Sequence, residues 1–220
     1  MEAAKAGFDW IVFDVSMLPL EENIRQTRTA VKTLKAIRPE ILVEGEIGDI
    51  GSGSEIHDTA RDLRKGLTAP AEARQFVEET RTDTLAPVGN MHGMLKSMVA
   101  GDKKKRLDIE RIRSIKEQTR VFMTLHGASR TDDGDLRRAI AAGITVVHIN
   151  TEVRIAWRRG LDSALAAQPN EIVPYKILPQ VIDSVKELVA ARLALFSSGR
   201  RHARLASEQS SERSVAEQPR

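Results

Sequence analysis

The residues best suited to chemistry are two histidines met in the same local context. His92 lies in Gly89-Asn90-Met91-His92-Gly93, and His126 in Leu125-His126-Gly127-Ala128-Ser129. Each is followed by glycine and comes just after a short apolar run, Leu85 to Val88 and Val121 to Leu125. If those runs are strands, each imidazole stands where a strand gives way to a loop. Two imidazoles at matching strand ends can share a metal ion. The glycine beside each lets backbone amides approach an anion closely. Either histidine alone reads equally well as a satisfied structural residue, and it is the repeated context that argues for a site. Carboxylates occur in similar places. Asp14 ends the apolar run that starts at Trp10, and Glu44 and Glu46 share one side of a strand by two-residue periodicity.

The totals limit what such a site can serve. The chain has 220 residues, 41% of them hydrophobic, enough for one sizeable core and too few for two comfortable ones. Its 34 basic and 31 acidic residues leave a formal charge of +3, which is a mixed solvated surface and not a nucleic-acid footprint. One Tyr and two Trp offer few platforms for stacking bases. There is no cysteine, so disulfides and thiolate metal sites are excluded, and a reducing cytoplasm is compatible. No apolar run approaches the roughly 20 residues of a membrane helix, and Met1 to Gly7 lacks the apolar stretch of a signal peptide.

The elements that must position these residues alternate along the chain. Strands are expected at Trp10–Asp14, Ile41–Ile47, Thr84–Val88, Val121–Leu125 and Ile144–Ile149. Helices are expected between and after them. One spans Glu21–Ile37 and stops at Pro39. Another is Pro70–Thr80, with proline at its first position and Ala69 at a weak N-cap. A third is capped by Asp108, and a short one is capped by Asp132 or Asp133 and ends at Gly143. Thr151–Leu165 and Pro179–Phe196 follow. Residues 2–7 read as the last turn of a helix with a glycine stop. The loop Gly48–Lys65 is long for a connection inside a compact domain, a length usually tied to function. The run Lys103-Lys104-Lys105-Arg106 reads first as a solvated face and second as an anion contact. From Ser197 the sequence is too polar to order itself, so residues 1–196 are expected to form one domain and 197–220 a disordered tail.

Strand–helix alternation implies parallel strands joined by right-handed crossovers. All five strand ends carry a polar side chain able to bind metal or substrate: Asp14, Glu46, Asn90 with His92, His126, and Asn150. A doubly wound sheet gathers ligands mainly at one switch point, whereas a (β/α)8 barrel builds its site around the whole C-terminal face. The fold class expected is therefore α/β, a partial TIM barrel of about five of eight strand–helix units.

At these residues the chain resembles the class II, zinc-dependent ketose-bisphosphate aldolases, of which fructose-bisphosphate aldolase is the main member. The resemblance runs from about Ala6 to Phe196. It is carried by Phe13-Asp14-Val15-Ser16 with Leu20-Glu21-Glu22-Asn23-Ile24, and by Val43-Glu44-Gly45-Glu46-Ile47-Gly48. It continues through the two histidine motifs to Asn150-Thr151-Glu152. The resemblance implies a cytoplasmic lyase of glycolysis and carbohydrate metabolism that reversibly cleaves fructose 1,6-bisphosphate to dihydroxyacetone phosphate and glyceraldehyde 3-phosphate. It implies His92 and His126 as Zn2+ ligands, with Glu46 and Asp14 as acidic positions near the metal. It places Gly93, Gly127, Ala128 and Ser129 around the ketose 1-phosphate. Asn150 and Thr151 fall in the substrate-binding segment, and Lys96 and Lys176 near phosphate. A monovalent cation beside the phosphate and a homo-oligomer also belong to this expectation. Asp14 as a loop acceptor, Glu46 as an ion-pair partner and Ser129 as a turn hydroxyl remain alternative readings.

The departures from the family pattern are as informative. The resemblance implies three further strand–helix units ahead of Trp10, with an Asp-His pair at the end of the third. That His ligates zinc and that Asp handles the C4 hydroxyl proton, and neither has a counterpart among these 220 residues. Catalytic zinc usually takes three protein ligands, and loss of a general base costs a factor of about 10²–10⁴. His148 is a candidate for substrate binding or for a replacement third ligand, and His57 a weaker ligand candidate. Glu55 is the acid nearest the proton-transfer position of the long loop. Ala128 and Arg130 replace glycines, which points to backbone strain. The alternative to an active aldolase is an inactive fragment or pseudoenzyme that keeps phosphate binding or an oligomer contact. Five strands of eight would leave two open edges and an interior lined by Ile11, Phe13 and Val147, and open edges invite association.

Overall fold

The structure, a computed structural model, describes residues 1–48, 56–57, 67–87, 94–95 and 104–216, with the backbone alone for 56–57, 94–95 and 198–216. In chain order its strands are β1 (Trp10–Phe13), β2 (Leu42–Ile47), β3 (Ile56–His57), β4 (Thr84–Pro87), β5 (Met94–Leu95), β6 (Phe122–Leu125) and β7 (Ile144–Val147). Five of them form one parallel sheet in the order β1-β2-β4-β6-β7, and β3 pairs in parallel with β5. The helices are α1 (Glu2–Lys5), α2 (Leu20–Ile37), α3 (Pro70–Thr80), α4 (Ile109–Thr119), α5 (Asp133–Ala141), α6 (Thr151–Ala167) and α7 (Pro174–Ala216). Helices α2 to α5 each connect one strand of the large sheet to its neighbour, so the five-unit parallel arrangement expected from the alternation is present.

The central strands β2 and β4 are buried on both faces, as parallel strands covered by helices should be. The core lies between the sheet and its helices, with Phe76, Leu85, Ile115, Met123, Leu125 and Leu136 at its centre. Helix α2 presents Ile24, Val31 and Leu34 to this layer because apolar residues recur at three- and four-residue spacing. Asp108 and Asp132 cap α4 and α5 as expected, each accepting a backbone N–H with its carboxylate. Ala69 cannot cap α3, but Glu72 reaches back to accept the Ala69 N–H, restoring one of the bonds a good cap supplies.

Two expectations are corrected here. Ile11 and Phe13 do not line a barrel interior: they border an open groove of about 390 Å³ with α2 residues such as Ala30 and Leu34. Val147 likewise packs on the helix-side core. The opposite face is the one marked by Glu44, which joins Thr84 and Thr124, and in register with it stands Val12. The apolar side chains exposed on that face are therefore Val12 (42%), Leu42 (36%) and Phe122 (57%). Second, the last helix starts at Pro174, five residues early, since proline is well tolerated in the first turn; Pro179 lies inside it. The same helix runs past residue 197 to Ala216. Arg, Glu, Gln and Ala all favour helix even where no apolar stripe remains to dock it. Among the described residues, β1 and β7 have a strand partner on one side only.

Candidate active site

The C-terminal ends of β2 and β6 converge on one largely buried group. Among the described residues, Glu44, Glu46 and His126 bring a ligand atom each to within 4.8 Å of one another. Local structure explains each position. Glu44 and Glu46 alternate with Gly45 on β2, so both carboxylates leave the same face. Gly45 points the other way, where an added Cβ would lie 2.7 Å from the Phe76 ring. The end of β2 is pinned by Asn23, whose side chain donates to the Glu46 carbonyl at 2.9 Å and accepts from Thr27. His126 follows the last residue of β6, and Gly127 takes φ 64 to turn the chain away.

Both carboxylates face the same imidazole nitrogen. His126 Nε2 lies 3.4 Å from Glu46 Oε1. Two ligands each about 2.0–2.1 Å from a tetrahedral ion sit roughly that far apart. His126 Nε2 lies only 2.7 Å from Glu44 Oε1, which is hydrogen-bond spacing. The other Glu44 oxygen accepts from Thr124 Oγ1 at 2.6 Å and Thr84 Oγ1 at 3.3 Å. Glu44 is fully buried, and these bonds are what make its charge tolerable. One imidazole and two carboxylates are suitable chemistry for Zn2+, so the donor set fits the metal that the resemblance implies.

Protonation follows from the same contacts. Burial raises the Glu46 pKa to about 7, with the charges of Asp14 and Glu44 adding and His126 opposing. Burial works to lower the His126 pKa, but the Glu44 hydrogen bond and the charges of Glu46, Glu44 and Asp14 outweigh it and the net is upward. Burial also works to raise the Glu44 pKa, yet its bonds to His126 and Thr124 bring it down. The Glu46 value exceeds its ordinary 4.5, so its contribution to stability is complete below 4.5 and is lost as pH rises through about 7. His126 acts in the same sense above its ordinary 6.5. The metal-free chain is therefore expected to melt at lower temperature as pH rises through about 7, and zinc to reverse the loss while releasing protons. Calorimetric melting with and without zinc, and zinc titrations in buffers of different ionisation enthalpy, test this. A pH-independent melt with no proton release would refute it.

The remaining expected residues divide into three sets. Asp14 is exposed; its Oδ1 accepts the Ser16 N–H at 2.9 Å, a local turn, while its charge still acts on Glu46 and His126. His148 packs edge-on against His126 with ring centroids 4.5 Å apart, and burial together with the His126 charge lowers its pKa. It lies beside the donor group and is not a member of it. Glu55, His92, Gly93 and Lys96 lie outside the described residues, as do Asn90 and Lys103, and His57 is described by its backbone alone. Lys176, in the first turn of α7, pairs with Glu171 at 3.1 Å.

The loop after His126 is brought to the start of α6 through Ser129. Asn150 does not cap α6 with its side chain. Ser129 Oγ does so across the loop, accepting the N–H groups of Asn150 at 3.3 Å and Glu152 at 3.4 Å. A hydroxyl that accepts twice has its proton left to donate. The Ala128 N–H is used by the His148 carbonyl at 3.3 Å, and the Thr131 N–H closes a turn onto the Ala128 carbonyl at 3.0 Å. Within that turn the positive φ falls on Arg130, at 60°, and not on Ala128. The strain expected at Ala128 is therefore at Arg130, in a turn position that favours glycine.

Two residues escaped the sequence reading. Glu44 was visible only as a second acid on the Glu46 face. Lys105 was one member of a basic run, yet it is 2% exposed and its Nζ donates to the Gly127 carbonyl at 2.7 Å.

The family described as fructose-bisphosphate aldolase class-II matches residues 1–201. The sulfofructosephosphate aldolase of Alkalicoccus urumqiensis is 32% identical over 194 residues, covering 86% of this chain and 64% of that protein. The fructose-bisphosphate aldolase of Thermus caldophilus is 30% identical over 220 residues, covering 90% of this chain and 70% of that protein. The crystal structure of an aldolase from Escherichia coli K12 superposes with a TM-score of 0.69 at 29% identity, over 90% of this chain and 64% of that one. The chain thus spans about two thirds of the length of the relatives it matches, from 64% to 70%.

Proposed function

The chain belongs to the class II fructose-bisphosphate aldolase family, and from that membership we propose that it carries the zinc and ketose-phosphate part of an aldolase site, for the cleavage of fructose 1,6-bisphosphate. The observation that carries this reading is the buried Glu44–Glu46–His126 group beside the loop at the start of α6.

In this proposal His126 and Glu46 hold Zn2+, and His92 is the further ligand. Zinc held by these residues would supply Lewis acidity at the ketose carbonyl. The chain's own residues do the rest. Gly127 and Ser129, with the amide end of α6, orient the 1-phosphate, and Gly93 and Lys96 complete that cradle. Ser129 donates its remaining proton to a phosphate oxygen. Asn150, Thr151 and His148 read the adjoining hydroxyls. Glu55 is the proposed proton-transfer group of the long loop. The names of the relatives differ in the sugar and share a phosphate, so the phosphate end is the firmer part of the assignment. Association through the unpaired edges of β1 and β7 is proposed as well.

The second reading is an inactive chain that keeps phosphate binding. It draws on Arg130, held at φ 60 where the turn favours glycine. Metal analysis, binding of dihydroxyacetone phosphate and a coupled cleavage assay on fructose 1,6-bisphosphate separate the two, with light scattering on the same sample for association. The first reading expects a single bound zinc and chelator-sensitive cleavage. Zinc and phosphate binding without cleavage selects the second, and failure to bind either sinks both.

A further inference from the structure

Among the described residues, arginine takes the left-handed backbone conformation three times, at Arg81 (φ 60), Arg120 (φ 59) and Arg130 (φ 60). Helix termination accounts for the first two. Arg81 ends α3 and Arg120 ends α4, each donates its N–H to the carbonyl four residues earlier, and both are exposed. Arg130 ends no helix. It is the third residue of the turn that the Thr131 N–H closes onto the Ala128 carbonyl at 3.0 Å, a place suited to glycine or asparagine. The Arg130 carbonyl accepts the Lys105 N–H at 3.0 Å, which holds the backbone in this conformation. Local structure therefore explains the turn but not the choice of arginine for it.

The side chain adds a second cost. Arg130 is half-buried, between Ser129 and Thr131, which are 3% and 1% exposed. Its Nε is buried and has no hydrogen-bond partner. A guanidinium donor taken out of water and left unpaired is destabilising until an acceptor arrives. Backbone strain and an unpaired buried donor on one residue are what is expected where a chain is shaped for a ligand. The surrounding loop indicates the ligand. It starts beside His126, and Ser129 joins it to the start of α6 by accepting the Asn150 and Glu152 N–H groups. A planar guanidinium fork matches two oxygens of a phosphate group.

We propose that Arg130 is a phosphate-binding residue of this site, its guanidinium closing on the phosphate group that the loop from Gly127 to Ser129 receives. The inference rests on the phosphate-binding part of the proposed function, which both readings share, and it adds a residue to which neither gives a binding role. The strained turn is then the consequence of carrying a cation into the loop.

The test uses the full chain in four forms: unsubstituted, Arg130→Gly, Arg130→Asn and Arg130→Lys. Inorganic phosphate and dihydroxyacetone phosphate are titrated calorimetrically, and melting temperature and zinc content are measured on the same samples. Glycine and asparagine both tolerate the left-handed conformation. Arg130→Asn should therefore melt at least as high as the unsubstituted chain, and Arg130→Gly about 2–4 °C higher. Both should nevertheless bind the two phosphates about 10- to 100-fold more weakly, because a charge-assisted contact is gone. Zinc content should not change. Arg130→Lys keeps the cation and loses the fork, so its affinity should lie between. Stability and binding thus move in opposite directions, which a merely structural arginine does not produce. Phosphate affinity that is unaltered or raised in the two neutral variants overturns the proposal, since Arg130 would then contribute strain alone. A loss of affinity that comes with lower melting temperature and lost zinc also overturns it, as does Arg130→Lys binding no better than the neutral pair. If the unsubstituted chain binds neither phosphate, the phosphate-binding reading itself has failed and this inference falls with it.

Discussion

Replacing His126 with alanine is expected to abolish zinc binding, the largest single effect at the site. His126 contributes the nitrogen donor of the buried group, at ligand spacing from Glu46 and hydrogen-bond spacing from Glu44. Removing the ring takes away one ligand and leaves Glu44 with only the Thr84 and Thr124 hydroxyls. Breaking a buried charge pair by deleting one partner costs about 3–5 kcal/mol; the two hydroxyls and uptake of a proton by Glu44 make that an upper bound here. Glu44→Gln is the graded comparison. It keeps the shape of the side chain and removes the charge facing His126 Nε2, one of the three donors of the group, so zinc affinity should fall, but by less than in His126→Ala. Competition with a chromophoric chelator should rank the three proteins unsubstituted, Glu44→Gln, His126→Ala. Full zinc occupancy in His126→Ala would remove the donor group from consideration.

Gly45→Ala is expected to be the most damaging change outside the donor set. Glycine is required there by close approach and not by backbone conformation. A Cβ on Gly45 would lie 2.7 Å from Cε1 and 2.9 Å from Cζ of Phe76, and 2.9 Å from Cγ2 of Thr82. Phe76 is fully buried and cannot swing aside, so β2 or α3 has to shift. Overpacking of this kind costs about 1–3 kcal/mol, and a chain of this size loses about 2–4 °C of melting temperature per kcal/mol. The shift moves Glu44 and Glu46 together, so zinc affinity should fall with stability. Phe76→Leu in the same chain makes room at the ring and should recover part of both. A Gly45→Ala protein that melts and binds zinc like the unsubstituted chain would show that β2 has slack the packing does not suggest.

These two sites were unequally legible in the sequence. His126 announced itself, because a histidine and glycine after an apolar run is a local pattern and its place at a strand end follows from the strand–helix alternation. The pairing expected of it, with His92, lies outside the described residues. Glu44 gave no comparable signal. Its importance comes from Thr84 and Thr124, about 40 and 80 residues away, and no spacing rule connects hydroxyls on separate strands. The face of β1 was misread for a related reason. Trp-Ile-Val-Phe is apolar at every position, so alternation is certain but its phase is not, and packing against α2 decided it. Lys105 was hidden by its neighbours, since a run of four cations looks solvated until one of them turns inward. At Arg130 the substitution for glycine was visible, but only the backbone angle identified it, and not Ala128, as the strained position.

The hydroxyl bonds to Glu44 also have a consequence in time. Residues 44, 84 and 124 belong to three successive strand–helix units, and contacts so distant along the chain form late when a chain refolds. Helices can appear early from local preferences alone, whereas the metal pocket has to await docking of the middle of the sheet. Uptake of the ion during renaturation would therefore mark the completion of tertiary order, and an ion offered too soon would meet Glu44 and Glu46 still without His126.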